Sequence, residues 1–286
     1  MIKKIFNFMY GLRDRQRILI GLTKGVAAMS ARKIDLHRPI SWEFSGFSQN
    51  GEDGILDVLR SQLNRQNRYF VEIGAADGID NNSAWLTIVD KHAGLMIEGD
   101  PSLVARAQRM IGHYSLGLEI RNMFVDKNSA MQIRNIALHG DPDVFSLDID
   151  GNDYYVATSL LDVGFRPKIF VVEFNSAYGP DEAKTIVYDP KFLYTTAHPS
   201  ELYYGVSIMG WRTLFEARGY RFVTVDRKGV NAFFVDPACF SPDFLDSVVS
   251  LEFAENELQM RKFRVDHAAQ FKQIAHLPFH EIRETN

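Results

Sequence analysis

The sequence predicts an α/β fold: a mostly parallel seven-stranded sheet, antiparallel at its last strand, with helices on both faces. Three observations predict it. Short apolar runs that do not alternate recur between amphipathic stretches, as strands buried on both faces do. The last two runs, 220–225 and 230–235, are separated by only four residues. A parallel crossover needs a dozen or more, so this pair returns on itself as a hairpin. Finally, 286 residues with 46% hydrophobic content and ordinary glycine (20) and proline (10) suffice for one large core and exclude wholesale disorder.

The chain opens on a basic arm, residues 1–44. Ile2, Ile5, Phe6, Met9 and Leu12 recur at steps of three and four, which predicts a helix with one apolar stripe. Residues 1–38 hold nine basic side chains and two acidic ones, a net +7, so the overall −4 hides a body at −11. An acidic body argues against a nucleic-acid binder. Charges interrupt the arm's apolar run and no small-residue cleavage site follows, so it is not a secretory signal. Such a helix suits contact with an acidic membrane surface from the cytoplasmic side; docking on its own domain or on a second copy in a homo-oligomer suits it equally. No run approaches the ~18 apolar residues of a membrane span. The lone Cys239 excludes a disulfide framework and a cysteine-rich zinc site.

The main domain, 45–240, follows. Ser48 and Asn50 suit a helix N-cap, ahead of an apolar face of Ile55, Leu56, Leu59 and Leu63. Strands are expected at 69–73, 93–98, 118–125, 143–149 and 168–174, with helices from 83, 101, 129 and 152 between them; Pro101 fits a first helical turn. Residues 205–219 read as a helix with Gly219 near its end, and the hairpin completes the sheet. Residues 241–286 read as a helical extension.

Four clusters carry chemistry. In Val71-Glu-Ile-Gly-Ala-Ala-Asp-Gly78 a strand runs into a turn with Gly74 and Gly78, where a ligand can approach the backbone; Glu72, Ala75 and Asp77 lie in the same turn. The Gly-x-x-x-Gly spacing differs from the G-x-G-x-x-G that receives a dinucleotide pyrophosphate. In Met96-Ile-Glu-Gly-Asp-Pro101, Glu98 ends the second strand 24 residues after Gly74, placed to accept ribose hydroxyls, with Asp100 beyond it. In Ser146-Leu-Asp-Ile-Asp-Gly-Asn-Asp153, three carboxylates end the fourth strand. On one continuous strand Asp148 and Asp150 share a face, and like charges so close need a cation, donors or a proton; Mg²⁺ suits such oxygen ligands, and a helix cap at one Asp is the plain alternative. At the end of the fifth strand Glu173 and Asn175 share a face. The irregular stretch after them, with Tyr194, His198 and Tyr203, suits a substrate lid in which His198 is either a general base or a surface turn residue before Pro199. Gln49 and Asp53, before the first strand, either close over a ligand or simply begin a helix. Asn81-Asn82-Ser83 forms a sequon inside the ligand turn and is discounted.

Five parallel strands followed by a hairpin is the strand sequence of the S-adenosylmethionine-dependent methyltransferase sheet. The segments Ser48-Gln-Asn-Gly-Glu-Asp-Gly-Ile-Leu56, Val71 to Gly78, Met96 to Pro101, Leu147-Asp-Ile-Asp-Gly-Asn-Asp-Tyr-Tyr155 and Val230-Asn-Ala-Phe-Phe-Val235 together resemble FkbM-like S-adenosylmethionine-dependent methyltransferases, over roughly residues 45–240. The resemblance implies the Rossmann-like class I methyltransferase fold and O-methylation of a sugar, surface glycan or related small metabolite. The Asp-Ile-Asp segment also looks like the metal-binding strand end of macrocin-type sugar O-methyltransferases; those carry adjacent acids where this chain has Glu173-Phe-Asn175. The competing readings are a non-catalytic cofactor-binding scaffold and another transferase, such as an aminopropyl transferase, on the same sheet.

Overall fold

The computed structural model describes residues 2–114 and 116–283, with side chains described from residue 11 onward. In chain order its elements are helix α1 (Ile2–Ala31), α2 (Glu52–Ser61), strand β1 (Tyr69–Ile73), α3 (Ala84–Ile88), β2 (Ala93–Glu98), α4 (Pro101–Ile111), β3 (Leu118–Asn122), α5 (Ala130–Ile136), β4 (Val144–Leu147), α6 (Asp153–Asp162), β5 (Ile169–Glu173), β6 (Lys184–Ile186), α7 (Tyr194–Ala197), α8 (Ile208–Ala217), β7 (Arg221–Val225), β8 (Asn231–Val235), α9 (Pro242–Ser247), α10 (Glu257–Phe263), α11 (His267–Phe271) and β9 (Phe279–Glu281).

Seven strands form one sheet in the order β3-β2-β1-β4-β5-β8-β7. β1 to β5 are parallel; β8 inserts between β5 and β7 and runs antiparallel to both. This is the predicted mixed α/β sheet. The hairpin is present, and its second strand takes the inner position. Order reverses between β1 and β4, and ligands of open α/β sheets bind beyond the carboxyl ends of strands at such a switch.

Two apolar layers cover the faces. Tyr69, Val71 and Ile73 of β1 pack with α5, α6 and α8, while Phe70 packs on the opposite face with α1, α2, α3 and α4. Pleat alternation puts Glu72 on the same side as Phe70. Helices α6 and α8 stop at Gly164 (φ +86°) and Gly219 (φ +76°). At each stop two backbone N–H groups turn back onto the last free carbonyls: Phe165 onto Leu160 and Gly164 onto Leu161, then Tyr220 onto Phe215 and Gly219 onto Glu216.

Several boundaries differ from the sequence reading. β3 ends at Asn122, β4 at Leu147 and β5 at Glu173. The residue capping α2 is Gly51, at φ +110°; Ser48 contributes from outside the helix, its hydroxyl accepting the Asp53 N–H at 2.9 Å. The C-terminal segment is more than helical cover: β9 pairs antiparallel with β6, and Tyr178, Tyr203, Phe271 and Phe279 pack around that pair in a third small core. The arm docks on its own domain along its second half. Ile18 is buried, Gly21 and Gly25 let Phe47 and Trp85 press on the helix backbone, and Arg32 pairs with Asp57. Of the expected stripe, Leu12 is exposed; the side chains of Ile2, Ile5, Phe6 and Met9 lie outside the described residues. No helix among the described residues is long and apolar enough to cross a membrane.

Candidate active site

The turn after β1 is fixed by its neighbours before any ligand is considered. The N–H groups of Gly74 and Ala75 donate to Ile97 O at 2.9 and 3.1 Å. Gly74 sits at φ +85°, and a Cβ there would overlap the backbone carbonyl oxygen of Asp148. Glycine is required because the ends of β1 and β4 approach that closely. Glu98 closes the turn from the β2 side. One carboxylate oxygen accepts the Ala76 N–H at 2.9 Å and the other the Asp100 N–H at 2.8 Å. These groups line a cleft of about 430 Å³, walled on the far side by Met123, Phe124 and Asp150. That volume and its mixed apolar and polar wall suit a nucleoside-sized ligand.

Beside it lies a second cavity of about 460 Å³, floored by Glu72, Asn82, Asn231 and Glu173 and flanked by Tyr194 and Asn256. Gln49, Gly74, Asp80, Asp148 and Asp150 line both spaces. At the junction Asp148, Asp150 and Glu173 each bring a carboxylate oxygen within 4.8 Å of the others. They do not meet as expected from one strand face. β4 ends before Asp148, and Asp150 returns to the cluster through a left-handed backbone conformation (φ +55°). Asp153 holds that turn, its two oxygens accepting the N–H groups of Ile149 and Gly151 at 2.9 and 2.8 Å.

The electrostatics follow. Burial, then the charges of Asp150 and Asp153, pushes the Asp148 carboxyl well above its ordinary range. Burial and then Asp148 do the same to Glu173, and the two carboxyls are hydrogen-bonded to each other. Asp150 is pushed up to about 6 by burial and by Asp153. Glu72 is raised to about 7 by burial, against hydrogen bonds from Ser83 and the Asn82 N–H. Among the described residues no lysine or arginine forms an ion pair with any of these four. The junction gathers acidic groups without a counter-cation of their own, partly relieved by the hydrogen bond between Asp148 and Glu173, and once ionised its hard oxygen donors suit a divalent ion such as Mg²⁺.

Other expected site residues are occupied elsewhere. Asp53 lies beneath the loop before α2, one oxygen accepting the N–H groups of Gly46, Phe47 and Ser48 at 2.7, 2.7 and 3.0 Å. Asp77 faces α1 and α4, pairing with Arg17 at 2.6 Å and Arg106 at 3.2 Å. Ala75 is buried, and a Cβ at Gly78 would meet Ile111 Cδ1 at 2.7 Å, so that glycine serves packing on α4. Asp100 caps α4 through the Ser102 N–H at 2.7 Å. Asn175 does not point to the rim; its amide donates to Leu202 O and Tyr204 O and accepts the Ala177 N–H. His198 lies outside both cavities, its Nδ1 engaged by Ser200.

Sequence reasoning misses Asp80, Asn82, Asn231 and Asn256. Asn231 stands within the last expected strand, and pleat parity would place it beside Glu173, its partner across β5 and β8. Asn82 reads as a sequon residue, yet it is buried, its amide donating to Ser146 Oγ at 3.0 Å. Arg17 is missed too: from α1 it pairs with both Asp77 and Asp80 and ties the arm to the turn.

No family model matches the chain, and no curated protein matches it. Solved structures it is similar to include an O-methyltransferase from Bacillus cereus in complex with SAH (16% identity, 77% of this chain and 89% of that one, TM-score 0.44). Another is the SAH-bound methyltransferase PaMTH1 from Podospora anserina (15%, 63% and 75%, TM-score 0.43). A third is the fibrillarin pre-rRNA processing protein of Methanococcus jannaschii (16%, 65% and 73%, TM-score 0.40).

Proposed function

We propose that the chain is an S-adenosylmethionine-dependent methyltransferase that methylates a hydroxyl on a sugar, surface glycan or related small metabolite. The observation that carries this reading is the junction at Asp150, which lines both the cleft holding Glu98 and the acid- and amide-rich cavity beside it. Two ligands in those spaces would meet at one carboxylate. The strand order, with β8 reversed and inserted, agrees with the resemblance to FkbM-like methyltransferases.

The residues fit the cofactor. Glu98 keeps free lone pairs for ribose hydroxyls although two backbone N–H groups already orient it. The acids at the junction have no lysine or arginine partner among the described residues, and a sulfonium cation nearby favours their ionised form. When bound, the cofactor supplies an electrophilic methyl group. Asp150, the most open of the three acids, is placed to accept the hydroxyl proton of an acceptor lying over Asn231 and Tyr194. Asp148, Asp150 and Glu173 would hold Mg²⁺, which would polarise the same hydroxyl. Alignment of oxygen and methyl in a dry site supplies most of the acceleration. The reading places the protein in the cytoplasm, where this cofactor is made.

Titration calorimetry with S-adenosylmethionine tests the pocket. Glu98→Ala is expected to weaken binding about 10- to 100-fold, from the loss of one charged acceptor. Unchanged affinity removes the cleft from the proposal. A labelled-cofactor screen over sugar acceptors, with and without chelator, tests transfer and metal separately; binding without transfer to any hydroxyl acceptor would favour the scaffold reading.

A further inference from the structure

The docked arm has a second apolar face. Helix α1 buries Ile18, Gly21 and Gly25 against the domain, but Leu19, Ile20 and Val26 are 62, 65 and 58% exposed on the opposite side. At 100° per residue Leu12, Leu19, Ile20, Thr23 and Val26 fall on one stripe, and Arg13 and Lys24 flank it on one side with Arg15 on the other. None of these three cations forms an ion pair among the described residues. The acid of the same turn, Asp14, is buried and held by Arg106 at 2.8 Å. Beside Arg15 a cleft of about 480 Å³ opens between α1 and α4, lined also by Arg109, His113, Tyr114 and the Asp14 that Arg106 neutralises. Arg109 likewise has no acidic partner among the described residues.

We infer that this face of α1, with the Arg15/Arg109 cleft, docks on an anionic phospholipid surface. The stripe enters the head-group boundary, and Arg15 and Arg109 take lipid phosphates. A helix lying in an interface needs an apolar stripe bordered by cations, and that is what remains free here after the other face has docked. Charge decides against a second copy as occupant. An isologous pairing would bring Arg13, Arg15 and Lys24 of two copies together with no exposed acid on the helix to offset them. Nucleic acid has no use for a stripe of Leu, Ile and Val. The inference is independent of the reaction proposed above.

The test is sedimentation of the full chain with vesicles of 70% phosphatidylcholine and 30% phosphatidylglycerol, against phosphatidylcholine alone. Binding is expected only to the anionic vesicles and should fall as salt rises from 0.1 to 0.5 M. Arg15→Gln with Arg109→Gln should weaken it about thirtyfold, at about fivefold per cation. Leu19→Glu with Ile20→Glu should abolish it while leaving the thermal midpoint within a few degrees, because both side chains are already in water. Equal binding to the two vesicle types, or full binding by the arginine variant, would overturn the inference. So would a solution dimer that Leu19→Glu dissociates in a chain that ignores vesicles. If the Leu19/Ile20 variant fails to fold, the two-composition comparison and the arginine variant still decide the matter.

Discussion

Gly74 and Gly164 both hold a positive φ, +85° and +86°, but in different surroundings. Around Gly164 nothing lies within 4 Å of an added methyl carbon, whereas at Gly74 that carbon would run into the Asp148 carbonyl. The pair therefore separates two costs. Gly164→Ala carries conformational strain alone, about 1–2 kcal/mol. Gly74→Ala carries a positive-φ strain of similar order and must also part the ends of β1 and β4. Overpacking in a tight core adds about 1–3 kcal/mol, and the obstacle here is hydrogen-bonded sheet backbone, so the upper end applies and the total is about 4 kcal/mol. Urea denaturation should show it as a midpoint shift roughly three times that of Gly164→Ala at unchanged slope. Calorimetry adds a second reading, because pushing Asp148 away opens the junction: Gly74→Ala should lose cofactor affinity and Gly164→Ala should keep it. Equal destabilisation by the two substitutions would refute the claim that strand approach, rather than a ligand, dictates Gly74.

Three further experiments probe charge. Lys168 Nζ lies 2.6 Å from Asp143, both buried, and Asp143 also accepts the N–H groups of Asn67 and Arg68; Lys168→Met should cost about 3 kcal/mol in urea, with part recovered by adding Asp143→Asn. His92 is held neutral, its pKa lowered to about 4 by burial and by Arg60. The unfolded chain takes up that proton from about pH 6.5 downward and the folded chain does not, so stability falls with pH between 6.5 and 4, by about 3 kcal/mol from this group. Glu72 and Asp53, raised to about 7 by burial, act oppositely over the same window, so the diagnostic quantity is wild type minus His92→Gln; a difference that stays flat with pH would refute it. Asp150→Asn should relieve like-charge repulsion and raise the thermal midpoint by about 1–2 °C while lowering turnover about a hundredfold or more at intact cofactor binding; a fully active variant removes Asp150 from the mechanism.

The sheet is legible in the sequence because its signals are local and repeated. Buried parallel strands are apolar on both faces, and a four-residue connection leaves only a hairpin. What stays hidden is what packing decides. Nothing in β8 announces that it slips between β5 and β7. The β6–β9 pair joins residues almost a hundred positions apart with three residues on each side, too short for a periodicity to register. Asp77 and Asp100 look like ligands because they stand beside glycine and proline in turns, yet one finds Arg17 from an element sixty residues away and the other only its own helix. A carboxylate's partner is a tertiary fact, and sequence can propose the carboxylate without naming what it faces.

The acid cluster shows how two residues can come together for a reason other than the expected one. The two-residue period of a strand pairs Asp148 with Asp150, but the strand ends at Leu147, before either of them. They meet because Asp150 adopts φ +55°, a conformation a non-glycine residue enters at a cost, and because Asp153 fastens the loop by accepting two of its N–H groups. Asp153, read from the sequence as a candidate catalytic acid, is thus the residue that shapes the turn. Strain and like-charge crowding at one junction are costs the fold sustains from its two apolar layers. The crowding would be relieved by a cation between Asp148, Asp150 and Glu173, and the strain is what brings those three carboxylates to one point, which is the physical reason to look for function there.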